Sequence, residues 1–307
     1  MQVFLTGATG YIGSAVLDAM IKGGHRVTVL ARDPEKAERL LAKGATPIIG
    51  ELGLAKTYVE AVKAADAVVH TALESLPRGI AKDKEALDIM LGALKQASDA
   101  DGKARVFIYT SSVWILGRTA KAAEEDASLD PLPYSEWRRA HEEQVLAASS
   151  ATLRTAVVRP GIVYGGNQGI VSDLIKDALN GLIRVVGPGK NRWSCIYQHD
   201  LGVLYLKILE SPAATGIIHA TDEADERVMD IAEAIASQVP QRPDIRNVPI
   251  AEARKKMGAY ADALALDQKV RSTKARALGW EPTQTGVITS VARLVEEFRN
   301  AQRERNS

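Results

Sequence analysis

The chain reads as an α/β protein organised around a doubly wound parallel sheet, with a smaller, mostly helical C-terminal part. Three observations carry that reading. Short apolar runs without helical period alternate with helix-length amphipathic segments through the first half of the chain. The first run passes straight into a glycine-spaced turn and then a helix. Beyond Arg159 the alternation breaks into glycine-rich turns followed by segments of mainly helical pattern.

In chain order, residues 3–6, 26–31, 47–49, 67–71, 106–110 and 156–159 are the expected strands, with helical segments between them. The longest expected helices cover about 82–97, with Ala86, Ile89, Met90, Ala93, Leu94 and Ala97 at helical spacing, and about 134–148. A glycine-rich stretch at 161–169 precedes a helix near 170–180, then helix 201–209 and strand 217–221. The last part predicts helices 228–239, 250–257, 268–278 and 286–299, and a charged tail that frays. These patterns place a first domain at 1–165, with 190–222 returning to it. A second domain takes 166–189 and 223–300, and 301–307 form a flexible tail.

Residues 2–13 decide most. Val3, Phe4 and Leu5 suit a strand buried on both faces. Gly7 permits the tight turn, Gly10 lets backbone approach a pyrophosphate, and Gly13 lets the following helix pack close. Free N–H groups at the helix start then hold phosphate charge. The reading is a dinucleotide site, to which the turn also contributes Thr9, Tyr11 and Ile12. An acidic residue commonly closes the second strand of such a site to bind ribose hydroxyls. Here Ala31 stands in that place and Arg32 follows, whose guanidinium suits a 2′-phosphate. The cofactor expected is therefore NADP (NADPH). In the alternative, Arg32 is a solvated loop residue and Asp33 only caps the helix that Pro34 begins.

Charge excludes little and composition excludes more. Basic and acidic residues number 39 and 38, giving a net charge of +1, so nothing favours nucleic acid or an anionic membrane as partner. No apolar stretch reaches the ~20 residues that span a bilayer, and a strand by residue 3 leaves no room for a signal peptide, which predicts a cytoplasmic protein. Cys195 is the one cysteine, so neither an internal disulfide nor a multi-cysteine metal site can form. It reads as a small buried residue more than a reactive thiol. The five histidines show no ligand spacing, and no metal is expected.

Several motifs now stand in order: Gly7-x-x-Gly10-x-x-Gly13, Asp66-Ala67-Val68-Val69-His70-Thr71-Ala72, Phe107-Ile108-Tyr109-Thr110-Ser111-Ser112, Arg159-Pro160-Gly161-Ile162-Val163-Tyr164-Gly165, His199-Asp200-Leu201, and Lys274 to Pro282. In this order the chain resembles the extended short-chain dehydrogenases/reductases, the NAD-dependent epimerase/dehydratase family, over almost its whole length. The resemblance implies a Rossmann domain, a smaller substrate domain and an active site in the cleft between them. It implies Glu51 and Leu52 beside the adenine, Thr71 and Ala72 beside phosphates and ribose, and Pro160 and Tyr164 by the nicotinamide. It assigns Leu73, Trp114, Val171 and Trp193 to the substrate pocket, where core packing accounts for the tryptophans equally well. Pairing of two copies through helices 82–97 and 134–148 is also implied.

Redox members of the family use a serine and a Tyr-x-x-x-Lys pair. A phenol with ordinary pKa near ~10 needs a nearby cation to exchange protons near neutrality. Ser112 matches the serine, with Ser111 one position out of phase and a strand-end cap as the alternative. Tyr134 matches the tyrosine, but the lysine is replaced by Arg138, which cannot be deprotonated. A register shifted by three pairs Trp137 with His141, and a tryptophan transfers no proton. The leading expectation is an NADP(H)-dependent oxidoreductase acting on a carbonyl or secondary alcohol of a small, largely apolar molecule. Leu73, Leu76, Trp114, Ile115 and Trp193 supply the apolar surroundings. A nucleotide-sugar epimerase/dehydratase, for which Arg184, Lys190 and Arg192 leave room, and an NADP-sensing binding protein with a decayed acid–base pair are the alternatives.

Overall fold

The structure, a computed structural model, describes residues 1–74 and 77–306, with side chains to Arg303. Its elements run β1 (Gln2–Thr6), α1 (Tyr11–Lys22), β2 (Arg26–Ala31), α2 (Pro34–Ala42), β3 (Thr46–Ile49), α3 (Val59–Ala64), β4 (Ala67–His70), α4 (Arg78–Asp101), β5 (Arg105–Thr110), α5 (Arg138–Ala147), β6 (Leu153–Pro160), β7 (Ile162–Tyr164) and α6 (Gly169–Leu179). There follow β8 (Leu182–Val186), β9 (Arg192–Trp193), β10 (Cys195–Tyr197), α7 (Gln198–Glu210), β11 (Gly216–Ala220), β12 (Glu226–Arg227), α8 (Val228–Ser237), β13 (Asp244–Val248), α9 (Ile250–Met257), α10 (Tyr260–Leu264), α11 (Thr273–Ala277) and α12 (Val287–Asn306).

Seven strands form one sheet in the order β11-β6-β5-β4-β1-β2-β3, and all pairings from β6 to β3 are parallel. The chain winds outward from β1 to β3, then crosses back over β1 to β4 and winds the other way. This is the doubly wound arrangement expected from the alternating pattern, with its switch point at β1. Strands β1, β4 and β5 are buried almost throughout, as both faces of a parallel sheet require.

Two compact units divide the chain. One holds Met1–Ser111, Trp137–Val158 and Leu201–Ile218; the other holds Ser112–Glu136, Arg159–Asp200 and the residues from His219 onward. The first unit therefore gives up 112–136 and 159–165, and takes back 201–218 in place of 190–222. Its core joins Phe4, Val68, Phe107 and Val157 of the sheet to Leu87, Met90 and Leu94 of α4. Arg154 fastens β6 to the returning segment, donating to the carbonyls of Ile208 (3.0 Å), Leu209 (2.8 Å) and Ala214 (2.6 Å). In the second unit, helices α6, α8 and α12 share an apolar core with Trp193, and three two-stranded ladders pair β10 with β7, β12 with β9 and β13 with β8.

Four local expectations need correction. Helix α5 starts at Arg138, not 134: residues 133–137 form a turn, in which the N–H groups of Ser135 and Glu136 both donate to the Leu132 carbonyl. The helix expected over 268–278 shrinks to α11, because the preceding residues are bonded elsewhere. The backbone N–H groups of Gln268 and Arg271 donate to the carbonyls of Arg192 and Ala123, Lys269 N–H donates to Thr119 Oγ1 and Ser272 N–H to Glu223 Oε1, while the Gln268 side-chain amide donates to the carbonyls of Val113 and Gly117, both at 2.8 Å. Strands β8 and β13 are additional to the expected elements; each is five residues long, and only β8 buries side chains fully, those of Ile183 and Val185. The tail continues α12 to Asn306.

Asp200, 1% exposed in the first turn of α7, organises its unit. Its carboxylate accepts from Thr283 N–H (2.8 Å), Thr283 Oγ1 (2.8 Å) and Gln284 N–H (3.2 Å), while its carbonyl accepts the buried Trp280 indole at 3.0 Å. Asp200→Ala strands these donors and is expected to cost about 3 kcal/mol, with Asp200→Asn costing less. Denaturant midpoints of the two variants measure it.

Candidate functional site

The glycine turn is built by close approach. Gly7 sits at φ +78°, and a Cβ there would lie 2.7 Å from both Ala72 N and Thr71 Oγ1. A Cβ on Gly13 would lie 2.0 Å from the Gly7 carbonyl oxygen, so only glycine lets α1 start this close to the turn. Gly10 N–H donates to Gly7 O at 2.8 Å and closes the loop. Gly10 is also the N-cap of α1, where no side chain caps the first turn and no acidic residue lies in it. An uncapped, acid-free helix start is suited to an anion. This cradle fits a dinucleotide pyrophosphate, with Thr9, Tyr11 and Ile12 lying on it in sequence.

Thr71 and Ala72 brace the turn from the neighbouring strand. Thr71 Oγ1 donates to Thr6 O at 2.7 Å, and Ala72 N–H donates to Thr6 Oγ1 at 3.4 Å. At the end of β2, Arg32 is largely exposed, and its Nη1 donates to Glu74 Oε1 at 3.3 Å. Asp33 does cap α2, accepting from Glu35 N–H at 2.9 Å, which turns Arg32 out of the helix. Leu52 is buried in the core of the first unit, Glu51 is exposed, and Leu73 is 41% exposed. Leu76 lies outside the described residues.

Beneath the turn runs a buried polar chain that the sequence analysis missed. Thr6 Oγ1 meets His70 Nδ1 at 2.6 Å, and His70 Nε2 meets Asp83 Oδ1 at 3.0 Å. Asp83 Oδ2 accepts from the Tyr109 hydroxyl and from His141 Nδ1, each at 2.7 Å. Burial alone would raise the Asp83 carboxyl, but hydrogen bonds from His141, His70 and Tyr109 hold it far below the usual carboxylate range. The chain ties the loop, α4 and α5 together. Its one sequence signal was His70 inside the quoted strand motif. Among the described residues no group of His, Cys, Asp and Glu is arranged to hold a metal ion.

The catalytic candidates divide between the units. Arg138 opens α5, stacks 4.5 Å above the Trp137 ring and donates to Thr110 O at 3.3 Å. Tyr134 lies in the turn before that helix, so the shared helix face expected of the pair is not formed. In the second unit its ring centroid lies 5.6 Å from Trp114 and 5.3 Å from Tyr260. Ser112 Oγ accepts from Trp114 N–H at 3.2 Å and caps a short turn. Ser111 Oγ is buried with no hydrogen-bond partner among the described residues.

A cavity of about 370 Å³ opens in the second unit, lined by Tyr260, Trp193, Val228, Leu264, Met257 and other mainly apolar residues of α6, α8 and α9. Asp173, Lys176, Asp177, Arg184 and Lys256 also line it. Trp193 donates its indole N–H to Leu264 O at 3.0 Å, so it is a packed wall as well as a lining residue. Val171 is 1% exposed and belongs to the core beneath.

Pro160 and Tyr164 are both buried, and the Tyr164 ring is 5.7 Å from Tyr197. Burial, and then the negative charge of Asp222, push the Tyr164 phenol far above its ordinary range. Asp222 Oδ2 is buried with no hydrogen-bond partner among the described residues. Burial is the main reason its carboxyl is pushed up to about 7, from 3.8. Between those values an unfolded chain releases the proton while the folded one keeps it, so this residue's contribution to stability falls as pH rises from about 4 to 7. Asp222→Asn is expected to flatten that fall and to be the more stable protein at pH 8 by roughly 2–4 kcal/mol. Urea unfolding of both proteins at pH 5 and pH 8 tests this.

Comparison with known proteins agrees with this geometry. The family profile described as NAD dependent epimerase/dehydratase family matches residues 3–219. An uncharacterized protein of Schizosaccharomyces pombe, C2A9.02, is 31% identical over 300 residues, covering 95% of this chain and 98% of that one. The 4-hydroxy-2-methyl-3-oxo-4-farnesyl-3,4-dihydroquinoline-1-oxide ketoreductase of Stigmatella aurantiaca is 26% identical over 261 residues, covering 83% of this chain and 78% of that protein. Among solved structures, MoeE5 in complex with UDP-glucose and NAD superposes with a TM-score of 0.83 at 21% identity, covering 98% of this chain and 100% of that one. Human epimerase family protein SDR39U1 with NADPH gives 0.73 at 21% identity, covering 96% and 99%. Both structural likenesses speak for the fold, and the profile match with the full-length relative for more: the chain belongs to the NAD dependent epimerase/dehydratase family.

Proposed function

We propose that the protein is an NADP(H)-dependent reductase, or the reverse dehydrogenase, for a carbonyl or secondary alcohol on a small, largely apolar molecule. The observation that carries this is the uncapped glycine cradle followed, at the end of β2, by Ala31 and Arg32 where an acid would favour the unphosphorylated cofactor. The similar ketoreductase acts on a farnesylated compound by its name, and the NADPH in the SDR39U1 structure supports the same choice.

Gly7, Gly10 and Gly13 would hold the pyrophosphate, and Arg32 the 2′-phosphate. A bound nicotinamide supplies or accepts a hydride at its C4. Ser112 spends its acceptor oxygen on Trp114 N–H, which leaves its own O–H to donate to the substrate oxygen. Tyr134 gives or takes the proton at that oxygen. Its ring touches Tyr260, a lining residue of the apolar cavity, so the acid stands next to the space a substrate would fill. Arg138, held on Thr110 O and over the Trp137 ring, cannot be deprotonated and so does not pass a proton on as a lysine would. This predicts slower proton transfer than a lysine would give. The apolar character of the cavity favours a hydrophobic carbonyl over a nucleotide sugar.

Turnover of a panel of hydrophobic ketones with NADPH tests the reading. Tyr134→Phe is expected to lower kcat by about 10²-fold or more while leaving NADPH affinity unchanged. Tight NADPH binding without turnover on any substrate would instead favour a cofactor-sensing protein. Arg32→Ala is expected to erase a preference for NADP over NAD, measured by calorimetry.

A further inference from the structure

Glu74 is the residue at the nucleotide edge that neither the fold nor the proposed chemistry uses. Arg32 leaves β2 directly, and Glu74 follows shortly after β4. Because β1 lies between β2 and β4 in the sheet, the Arg32–Glu74 pair spans the carboxyl end of β1, where the Gly7 turn departs. That edge is where doubly wound sheets take their ligands.

A second cation reaches the same carboxylate. Lys82 Nζ, from the start of α4, lies 2.9 Å from Glu74, and the Glu74 side chain is only 16% exposed. The hydrogen bond from Lys82 comes first among the causes that lower the Glu74 carboxyl, opposed by burial and aided by the charges of Lys82, Arg32 and Arg78. Yet the cations are not saturated. Arg32 offers one nitrogen at 3.3 Å, whereas a guanidinium fork binds an oxyanion best through two. One carboxylate with a single negative charge is thus held by two side chains, with a third nearby. A phosphate monoester, carrying close to two charges and three acceptor oxygens, satisfies such donors better.

Building on the reading of Arg32 as the 2′-phosphate ligand, we propose that Arg32 and Lys82 together form the subsite for that phosphate, and that Glu74 is its built-in counter-ion. Glu74 occupies the subsite in the free protein and is displaced when the phosphate enters. Lys82 is then a second phosphate ligand, and Glu74 sets how strongly the phosphorylated coenzyme is preferred.

The test is calorimetric binding of adenosine 2′,5′-bisphosphate and adenosine 5′-phosphate to the full-length wild type, Arg32→Ala, Lys82→Met and Glu74→Gln. These substitutions are at exposed or half-exposed positions, and thermal melts check that each variant is folded. Lys82→Met is expected to weaken the bisphosphate about tenfold, and Glu74→Gln to tighten it several-fold, with adenosine 5′-phosphate unchanged in both. Unchanged bisphosphate affinity in Lys82→Met, or unchanged or weaker affinity in Glu74→Gln, overturns the proposal even when Arg32→Ala shows that Arg32 binds the phosphate. Equal affinity of the wild type for the two nucleotides, unaltered by Arg32→Ala, would instead remove the underlying reading of the cofactor.

Discussion

The closeness of Gly13 to the Gly7 carbonyl is the constraint from which the rest of the nucleotide edge follows. A single methyl group at position 13 would stand 2.0 Å from that oxygen, inside any permitted contact. Keeping the helix this near the turn aims its uncapped first-turn N–H groups at the space above β1. The same closeness demands that Thr71 and Ala72 press in from the adjoining strand, since Gly7 has no side chain to hold them away. Thr6 then becomes the hinge pin of the assembly, receiving Ala72 N–H on its hydroxyl and Thr71 on its carbonyl. His70 and Asp83 extend that bracing through the interior to α5. A buried carboxylate with hydrogen bonds from three side chains is stable where one with a single partner would not be.

Chemistry of different kinds is assigned to different units. The first carries the glycine turn with its uncapped helix start, and the cations Arg32 after β2 and Lys82 in α4. The second carries Ser112, Tyr134 and an apolar cavity whose lining ring, Tyr260, packs on Tyr134. The replacement of lysine by Arg138 fits this separation. Arg138 is committed to Thr110 O and to the Trp137 face, so its charge is fixed in place by two contacts. It is a permanent positive charge in a setting where lysine would be a movable proton donor.

Much of the frame was legible because its signals are local. The buried strands around β1 announce themselves as apolar runs, and the glycine spacing is dictated by contacts within a few residues of chain. Arg32 could be read for the same reason, as the residue next after a strand whose end is well marked. What escaped depends on partners distant in sequence. Nothing near Gln268 discloses that the backbone N–H groups of residues 268, 269, 271 and 272 will bond Arg192, Thr119, Ala123 and Glu223, and those bonds are what keep residues 268–272 from forming helix. Asp83 looks like any polar residue on an amphipathic helix until His70, Tyr109 and His141 are brought around it. Tyr134 was legible as a residue type but not as a geometry, because it falls in the turn at 133–137 that precedes α5 rather than on the helix.

Arg154 carries a consequence for how the molecule is made. Its guanidinium ties the β6 edge to carbonyls at 208, 209 and 214, residues that the ribosome delivers only after the chain has passed through part of the second unit. Until they emerge, the sheet lacks β11 and Arg154 lacks these three acceptors. The nucleotide-binding half is therefore not an autonomous N-terminal block that matures first during synthesis. Its sheet is completed only once the chain through β11 has been made.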